Sequence, residues 1–204
     1  MIPVKVCGIT NSNDALTCIH YGVPALGFIF AESKRRVTPE VARKISLHLP
    51  PFVTKVGVFV DEDPDTIAEI LRDCRLDVAQ LHGSKSVALI DKLPGRVIKV
   101  FRAGMDQPDP SWSEAPLRAV LIDTYQPGAQ GGTGVPFNWD LFGEYRKLGF
   151  PLILAGGLNP GNILSAIQTA RPDAVDLSSG VEIKPGIKDL AKVRELMSIV
   201  QKIE

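Results

Sequence analysis

The 204-residue sequence lacks an excess of either charge, a long apolar run and a paired set of cysteines. Lysine and arginine total 23, as do aspartate and glutamate, so no net positive field exists to hold nucleic acid or an anionic membrane surface. No apolar stretch reaches the length of a membrane span, and the chain begins on a strand pattern instead of a signal-peptide pattern. These absences predict a soluble, cytoplasmic protein with no nucleic-acid or membrane partner.

The three cysteines are odd in number and show no spacing typical of a metal site. They fit a reducing compartment better than a disulfide framework, so free thiols are available for chemistry. Cys18 and Cys74 fall on predicted helices, away from strand ends, and we interpret both as packing residues. Cys7 stands in VKVCGIT, where Gly8 ends an alternating strand pattern. At the carboxyl end of a strand, a cysteine is either small core filler or a poised thiol.

What the sequence does contain is a regular alternation of short apolar runs and helical segments. Eight runs rich in β-branched residues each end in a turn signal: VKVCGI, ALGFIF, VTKVGVFV, VAQLH, RVIKVF, AVLIDT, LILAGG and AVDLSSG. The helix-period segments between and after them are predicted at 13–21, 39–47, 64–74, 86–93, 138–148, 160–170 and 187–202. The segment after the fifth run, AGMDQPDPSWSEAP, predicts only a short or irregular helix.

Strict alternation of strands and helices predicts right-handed crossovers and a parallel sheet covered by helices. Eight such units close into a barrel, so we predict a compact, single-domain (β/α)8 TIM barrel of the α/β class over residues 1–204. The usual barrel has about 250 residues, which leaves this chain little room for a lid or an added domain. A doubly wound open sheet is the competing architecture, but its glycine fingerprint is missing after the first strand.

Alternation along the strands of a barrel sorts side chains into those that face the helices and those that face the interior. On the first strand, Val4 and Val6 would face the helices. Lys5 and Cys7 would then face the interior, as would Asp123 on the sixth strand. The same alternation predicts inward side chains at five further positions, several of them at the carboxyl ends where barrel enzymes carry their catalytic groups: Gln80, His82, Lys99, Asp176 and Ser178.

Cys7 and Asp123 would face one another across the barrel mouth as an acid and base pair without a metal. A free thiol has a pKa of about 8.5, so a site that uses Cys7 as a base must favour the thiolate, which Lys5 or helix amides would do. Asp123 needs the opposite environment, because a general acid must hold its proton. A buried cysteine alone is commonly core filler, but an unpaired buried carboxyl is costly and seldom kept for packing.

The seventh and eighth strands end in glycine-rich turns, LAGGLNPGN and DLSSGVE. Glycine lets a ligand approach the backbone closely, and the start of a helix presents unpaired amide donors. Two ordinary tight turns are the alternative, but their position at the last two strand ends favours phosphate binding. The predicted phosphate-binding residues are Gly156, Gly157, Ser178, Ser179 and Gly180.

Other polar groups follow the second and fourth strands. Arg35 and Arg36 in SKRRVTP would lie on a mouth loop, where arginine can grip a carboxylate with two parallel hydrogen bonds; a solvated charge run is the alternative. His82 ends the fourth strand, and a lone histidine is more often structural than catalytic. Because no second His or Cys stands at ligand spacing, we predict no metal site. The GAQGGTG loop at 128–134 would be either a cover over a sugar or inert.

Taken together, KVCGIT, GFIF, SKRRVTPE, VGVFV, VAQLHG, LIDT, GGTG, FNW, LAGGLNPGN and VDLSSGVE with PGIKD resemble the phosphoribosylanthranilate isomerase family of tryptophan biosynthesis. The likeness runs in order from the first strand to the last helix. It implies the Amadori rearrangement of N-(5-phosphoribosyl)anthranilate to 1-(2-carboxyphenylamino)-1-deoxyribulose 5-phosphate, an aldose–ketose isomerisation that needs no cofactor. The implied partner is this phosphorylated small molecule, and the oligomeric state, monomer or homodimer, stays open.

The resemblance also implies residue roles. The family's base matches Cys7, its general acid matches Asp123, and the arginine of its S-x-R motif, which holds the anthranilate carboxylate, matches Arg35. Arg36 follows immediately and is the alternative for that contact. By resemblance Asp176 approaches the sugar hydroxyls or steadies the site, and the remaining substrate-binding residues are Gln80 and His82.

Two other functions compete with this interpretation. The related isomerase of histidine biosynthesis uses aspartates as both acid and base, so Cys7 disfavours it. A non-catalytic sugar-phosphate-binding barrel would bind product tightly without turnover, and having both Cys7 and Asp123 makes it the weaker hypothesis.

Overall fold

The computed structural model describes residues 2–60, 62–83, 90, 93, 96–107, 109–123 and 140–203, and of Asp140 and Leu141 it describes the backbone only. Eight parallel strands pair in chain order and close into a barrel when β1 pairs with β8. The predicted (β/α)8 barrel is therefore confirmed. Its strands are β1 Val4–Cys7, β2 Ala25–Ile29, β3 Thr54–Phe59, β4 Val78–Leu81, β5 Val97–Arg102, β6 Leu117–Asp123, β7 Leu152–Ala155 and β8 Ala174–Leu177.

The helices lie on the connections between strands. They are α1 Ser12–His20, α2 Pro39–Ser46, α3 Pro64–Asp73, α4 Asp140–Glu144, α5 Ile163–Ala170 and α6 Leu190–Val200. Single 3₁₀ turns occupy Pro110–Glu114, Tyr145–Leu148 and Ser179–Val181. A short antiparallel ribbon of β9 Glu182–Lys184 and β10 Ile187–Lys188 precedes the last helix. Among the described helices, none has the length and apolar content that a membrane crossing requires.

Side-chain caps explain where several helices begin. Asn11, Thr38 and Asp63 accept hydrogen bonds from backbone N–H groups in the first turns of α1, α2 and α3, and proline opens both α2 and α3. The predicted bounds of these three helices are correct to within one residue. The segment after β5, where the sequence predicts only a short or irregular helix, forms a 3₁₀ turn of five residues.

Three predicted helix starts or lengths are wrong. The last helix begins at Leu190, not at 187, because Ile187 and Lys188 pair with β9 and Asp189 caps the helix. The helix predicted at 160–170 begins at Ile163. The one predicted at 138–148 is α4 followed by a 3₁₀ turn, and the helix predicted at 86–93 falls almost wholly outside the described residues.

Two apolar layers hold the barrel. Valine, leucine and phenylalanine on the outer faces of the strands pack against the helices in one continuous core. A smaller set fills the barrel interior, and each member alternates with outward residues along its strand. These interior residues are Val56, Val78, Ile98, Val100, Ala119, Leu121, Ile153 and Ala155.

The prediction that Lys99 faces the interior is wrong. Ile98 and Val100 on β5 fill the barrel interior, so the Lys99 side chain lies on the opposite face of the strand, the one that faces the outer layer. Its ammonium lies 5.4 Å from the centre of the Phe101 ring and 5.3 Å from that of Trp112. Aromatic faces attract a cation electrostatically, and its bond to the Gly83 carbonyl satisfies a donor there.

Candidate functional site

A cavity of about 470 Å³ opens at the carboxyl ends of the strands. Apolar side chains of Ile29, Val58 and Leu121 form part of its wall. Most of the predicted site residues line it together: Cys7, Arg35, Gln80, His82, Asp123, Gly156, Gly157, Asp176, Ser178 and Ser179. The strand ends therefore bring a thiol, carboxyl groups, a guanidinium and two glycine-rich turns around one space.

Two predicted residues lie elsewhere. The Arg36 side chain is exposed and is not among the residues that line this cavity. Gly180 lines a neighbouring cavity of about 570 Å³, which shares Gly157 and Ser179 with the first. The two cavities therefore adjoin at the glycine-rich turns.

Cys7 lies beside a buried ion pair. The ammonium of Lys5 donates to Asp176 Oδ1 at 2.8 Å, and both side chains are buried. Gly27 on β2 makes room for this arrangement, because a Cβ there would lie 2.8 Å from Cys7 Sγ and 3.1 Å from Lys5 Cε. The Cys7 thiol and the Lys5 side chain thus both pack against the backbone of Gly27.

Burial decides the resting form of the thiol. Burial raises the pKa of Cys7, the positive charge of Lys5 lowers it, and Asp176 raises it further; the net direction is upward. For Lys5, burial lowers the pKa, but attraction to Asp176 and Cys7 outweighs burial, so the amine stays protonated. Lys5 therefore acts in the direction expected from the sequence without making the thiolate the resting form.

Asp123 ends β6, half-buried on the rim of the cavity that Cys7 also lines. Its backbone pairs with Arg102 on β5 and Ala155 on β7, and its carbonyl accepts from the N–H of Ala103. These strand contacts fix the position from which its carboxyl group reaches the cavity.

Arg35 is held by a carboxylate that the sequence analysis did not single out. Its Nε donates to Glu182 Oε1 at 2.9 Å and its Nη2 donates to Oε2 at 2.7 Å. Glu182 Oε1 also accepts from the buried ammonium of Lys188 at 2.8 Å. Burial raises the pKa of Glu182, but the bonds from Arg35 and Lys188 outweigh it and hold the net pKa below its usual value. Glu182 is therefore a carboxylate shared by two cations.

His82 is kept neutral. Burial, followed by the positive charges of Lys5, Lys99 and Arg102, lowers the pKa of His82 to about 4. Its Nε2 lies 3.2 Å from Gln80 Nε2, so the amide donates to the imidazole. Among the described residues, no donor reaches Gln80 Oε1, which is buried on the cavity wall. That oxygen is an unsatisfied acceptor enclosed in the wall, so a ligand reaches it only if the Gln80 side chain turns.

The two glycine-rich turns present backbone donors side by side. Gly156 and Gly157 have φ of +94° and +64°, which only glycine adopts readily. Gly157 ends the first turn, and Ser179 and Gly180 open the 3₁₀ turn after β8, so their N–H groups lie side by side at the junction of the two cavities. Such a cluster of outward N–H groups is suited to bind an anion.

Gly180 is required by space. A Cβ at this position would lie 1.9 Å from the carbonyl oxygen of Leu158. We expect Gly180→Ala to push the two turns apart and destabilise the protein by about 1–3 kcal/mol. If these turns bind phosphate as the sequence predicts, the same change should raise KM for a phosphorylated substrate by about tenfold. Thermal unfolding and steady-state kinetics measure both effects. Gly143→Ala is the matched control, because nothing lies within 4 Å of its added Cβ; equal effects of the two substitutions would contradict the expectation.

Sequence reasoning missed Glu182 and Lys188. Glu182 lies 147 positions after Arg35, and Lys188 lies 181 positions after Cys7, whose carbonyl it bonds. The only signal was their presence in the VDLSSGVE and PGIKD motifs, which does not indicate their partners. Within the described residues, no group of three His, Cys, Asp or Glu side chains could hold a metal ion.

Comparison with known proteins identifies relatives over the whole barrel. The family model described as N-(5'phosphoribosyl)anthranilate (PRA) isomerase matches residues 4–199. The N-(5'-phosphoribosyl)anthranilate isomerase of Geobacter sulfurreducens is 47% identical over 199 residues, which cover 97% of each chain. That of Thermotoga neapolitana is 46% identical over 200 residues, again 97% of each.

Solved structures show the same similarity. Phosphoribosyl anthranilate isomerase from Thermotoga maritima superposes with a TM-score of 0.88 at 41% identity over all of both chains. A phosphoribosyl anthranilate isomerase in complex with reduced 1-(o-carboxyphenylamino)-1-deoxyribulose 5-phosphate has a TM-score of 0.85 at 39% identity, also over both full chains. The likeness in sequence and in structure therefore spans the barrel from end to end.

Proposed function

Because the chain belongs to the N-(5'-phosphoribosyl)anthranilate isomerase family, we propose that the barrel-mouth cavity carries out the family's reaction. The reaction is the Amadori rearrangement of an aminoaldose to an aminoketose in tryptophan biosynthesis. The observation that supports this site above all is that Cys7 and Asp123 line one cavity together with Arg35 and both glycine-rich turns. Acid, base and two anion-binding groups thus surround a space suited to one phosphorylated substrate.

The substrate consists of a phosphate, a sugar and an anthranilate ring with its carboxylate, and each part is complementary to a different side of the cavity. Its phosphate binds the backbone N–H groups of Gly157, Ser179 and Gly180, which line the cavity together. Its ring carboxylate binds Arg35, and the aromatic ring packs on apolar side chains of the cavity. Asp176 accepts hydrogen bonds from the sugar hydroxyls, and Gln80, whose amide donates to neutral His82, lines the same wall.

The first chemical step opens the furanose ring. Asp123 donates its proton to the ring oxygen as the bond from that oxygen to C1 breaks. The nitrogen lone pair forms a double bond to C1, which gives a protonated Schiff base. The ring oxygen leaves as a neutral hydroxyl on the sugar chain, so no charge is stranded there.

The second step moves the oxidation level from C1 to C2. Cys7, as the thiolate, removes the proton from C2; the electron pair forms the C1–C2 double bond, and nitrogen regains its lone pair. The ammonium of Lys5 stabilises the thiolate during this step. The enolamine then takes a proton at C1 and loses one from the C2 hydroxyl to become the ketone. C2 is oxidised and C1 reduced, so the chemistry balances within the substrate and needs no redox partner.

Turnover of the phosphoribosyl substrate tests this function directly. The anthranilate ring is fluorescent, so its emission is followed when purified protein is added to N-(5-phosphoribosyl)anthranilate without metal or nucleotide. A protein-dependent change with formation of the ketose, identified by mass and chromatography, supports the isomerase. Tight binding of the reduced product analogue with no turnover would instead favour the non-catalytic sugar-phosphate barrel.

Arg35 and Arg36 form a natural matched pair. We expect Arg35→Ala to raise KM by about 10- to 100-fold with a smaller change in kcat, because it removes a charged hydrogen-bond donor for the substrate carboxylate. Arg36→Ala should leave both constants near the parent values, since its side chain is exposed and does not line the cavity. Steady-state kinetics of the two variants decides between them; the reverse pattern would assign the carboxylate to Arg36.

A further inference from the structure

The polar cluster behind Arg35 joins three elements of the site. Glu182 begins β9, directly after the turn that ends β8, and its carboxylate grips Arg35 through Nε and Nη2. Its Oε1 also accepts from the backbone N–H of Gly186 at 3.2 Å and from Lys188 Nζ. The orientation of this carboxylate is thus determined from behind as well as from the arginine side.

Lys188 anchors the cluster to the strand ends. Its side chain is 0% exposed, against 3% for Glu182 and 22% for Arg35. Its ammonium donates to Cys7 O at 2.6 Å, Glu182 Oε1 at 2.8 Å and, at 3.5 Å, Ser178 O, which uses its three hydrogens. Asp14 accepts from the backbone N–H of Lys188, not from its ammonium. The exposure increases from Lys188 to Arg35, so the cluster leads from the barrel wall to the cavity.

The grip also fixes which edge of the guanidinium faces the ligand. Nε and Nη2 form the edge that meets Glu182, and within the described residues no bond is found from Nη1. The Arg35 stem lies over Gly8, where an added Cβ would come within 2.7 Å of Arg35 Cδ. The aliphatic part of Arg35 and the Nε–Nη2 edge of its guanidinium are therefore both held in place, and the edge that carries Nη1 is left for the cavity.

We propose that Glu182 is a positioning residue for the carboxylate subsite. Held by Lys188, it fixes the plane and reach of the Arg35 guanidinium so that the free edge meets an aromatic carboxylate. It acts through Arg35 and touches no reacting atom. This inference rests on the proposed function, since it presumes that the cavity takes a ligand with that carboxylate.

Two substitutions separate positioning from charge. Glu182→Asp keeps the negative charge but shortens its reach, and Glu182→Gln keeps the shape but removes the charge. Because both substitutions disturb the hydrogen bonds between Glu182 and Arg35, both should weaken binding of the reduced 1-(o-carboxyphenylamino)-1-deoxyribulose 5-phosphate by about tenfold. A second ligand, the same molecule without its ring carboxylate, should bind to both variants with an affinity within about twofold of that of the parent. If charge alone mattered, Glu182→Asp would match the parent and Glu182→Gln would bind the carboxylate ligand more tightly.

Calorimetry measures the dissociation constants of the two ligands, with and without the ring carboxylate, and thermal unfolding checks that each variant is folded. Glu69→Asp, on the exposed face of α3, is the control. In an Arg35→Ala background, the Glu182 substitutions should have no further effect on the carboxylate ligand. Equal loss for both ligands, or none for either, overturns the proposal. If the parent turns over its substrate while carboxylate selectivity survives both substitutions, only this inference fails; if the parent shows no turnover, the proposed function fails instead.

Discussion

Cys7→Ser is expected to lower kcat by about 100- to 10,000-fold while the reduced product analogue binds nearly as well as to the parent. A serine hydroxyl fills almost the same volume but is far harder to ionise than a thiol. Lys5 can stabilise a thiolate beside it, yet it cannot bring an alcohol to the anionic form near neutral pH. Single-turnover kinetics and ligand titration separate the chemical step from binding.

Cys74→Ser is the matched control for that substitution. Cys74 lies at the end of α3, and its thiol donates to the Pro39 carbonyl, a bond that serine can keep. It does not line the cavity, so we expect parent-like kinetics. If Cys7→Ser retained near-parent turnover, the base would have to be another group.

The parent pH profile carries a second signature of the base. Because the pKa of Cys7 is raised, the thiolate fraction in the free protein increases with pH across the neutral range, and kcat/KM increases with it over the pH range in which Asp123 keeps the proton that it donates. A base is active only when deprotonated, so the rate falls as pH falls below that pKa. His82, with a pKa of about 4, is neutral throughout this range and contributes no acid limb near pH 6 to 7. An activity that reached its plateau near pH 7 would point to a base with a lower pKa than this thiol.

Asp123→Asn is the second substitution with a large expected effect. An amide occupies the same space and still accepts hydrogen bonds, but it has no acidic proton to give the ring oxygen. We therefore expect a fall in kcat of about 100- to 10,000-fold with little loss of ligand affinity. Rapid-mixing fluorescence should show that ring opening, the step in which Asp123 donates its proton, becomes the slow step.

Asp77→Asn serves as the control for this change. Asp77 immediately precedes β4 at the amino end of the barrel, where its carboxylate accepts from the N–H of Lys55. An asparagine there keeps an acceptor oxygen, so turnover should stay near the parent value. Near-parent turnover of Asp123→Asn would contradict the proposed acid, whatever the control does.

The barrel itself was predictable because its signals are local. Alternating residues on each strand identify Cys7, Gln80, His82, Asp123 and Asp176 as residues of the cavity, and caps locate α1 to α3. The same alternation was misapplied on β5, where Ile98 and Val100 fill the interior and Lys99 does not. A basic residue between apolar neighbours fits either face by pattern alone, and only the aromatic rings around it decide.

The support behind Arg35 was not predictable because its contacts are remote in sequence. An arginine at 35 and a glutamate at 182 carry no mutual signal in a single chain. The ribbon of β9 and β10, which brings Glu182 and Lys188 together, is too short for periodicity to reveal, and the sequence there suggested a helix start. Likewise, the balance between burial and Lys5 that sets the state of Cys7 depends on packing in three dimensions.

The apolar side chains that fill the barrel interior have a kinetic consequence. Side chains such as Val100, Leu121 and Ile153 fill the barrel interior, so the described residues leave no passage from the cavity to the opposite end. A molecule that enters between the strand ends must depart by the way it came. Ketose and aminoaldose then occupy one compartment in turn, and the ketose should inhibit competitively, with an inhibition constant set by the same phosphate and carboxylate contacts.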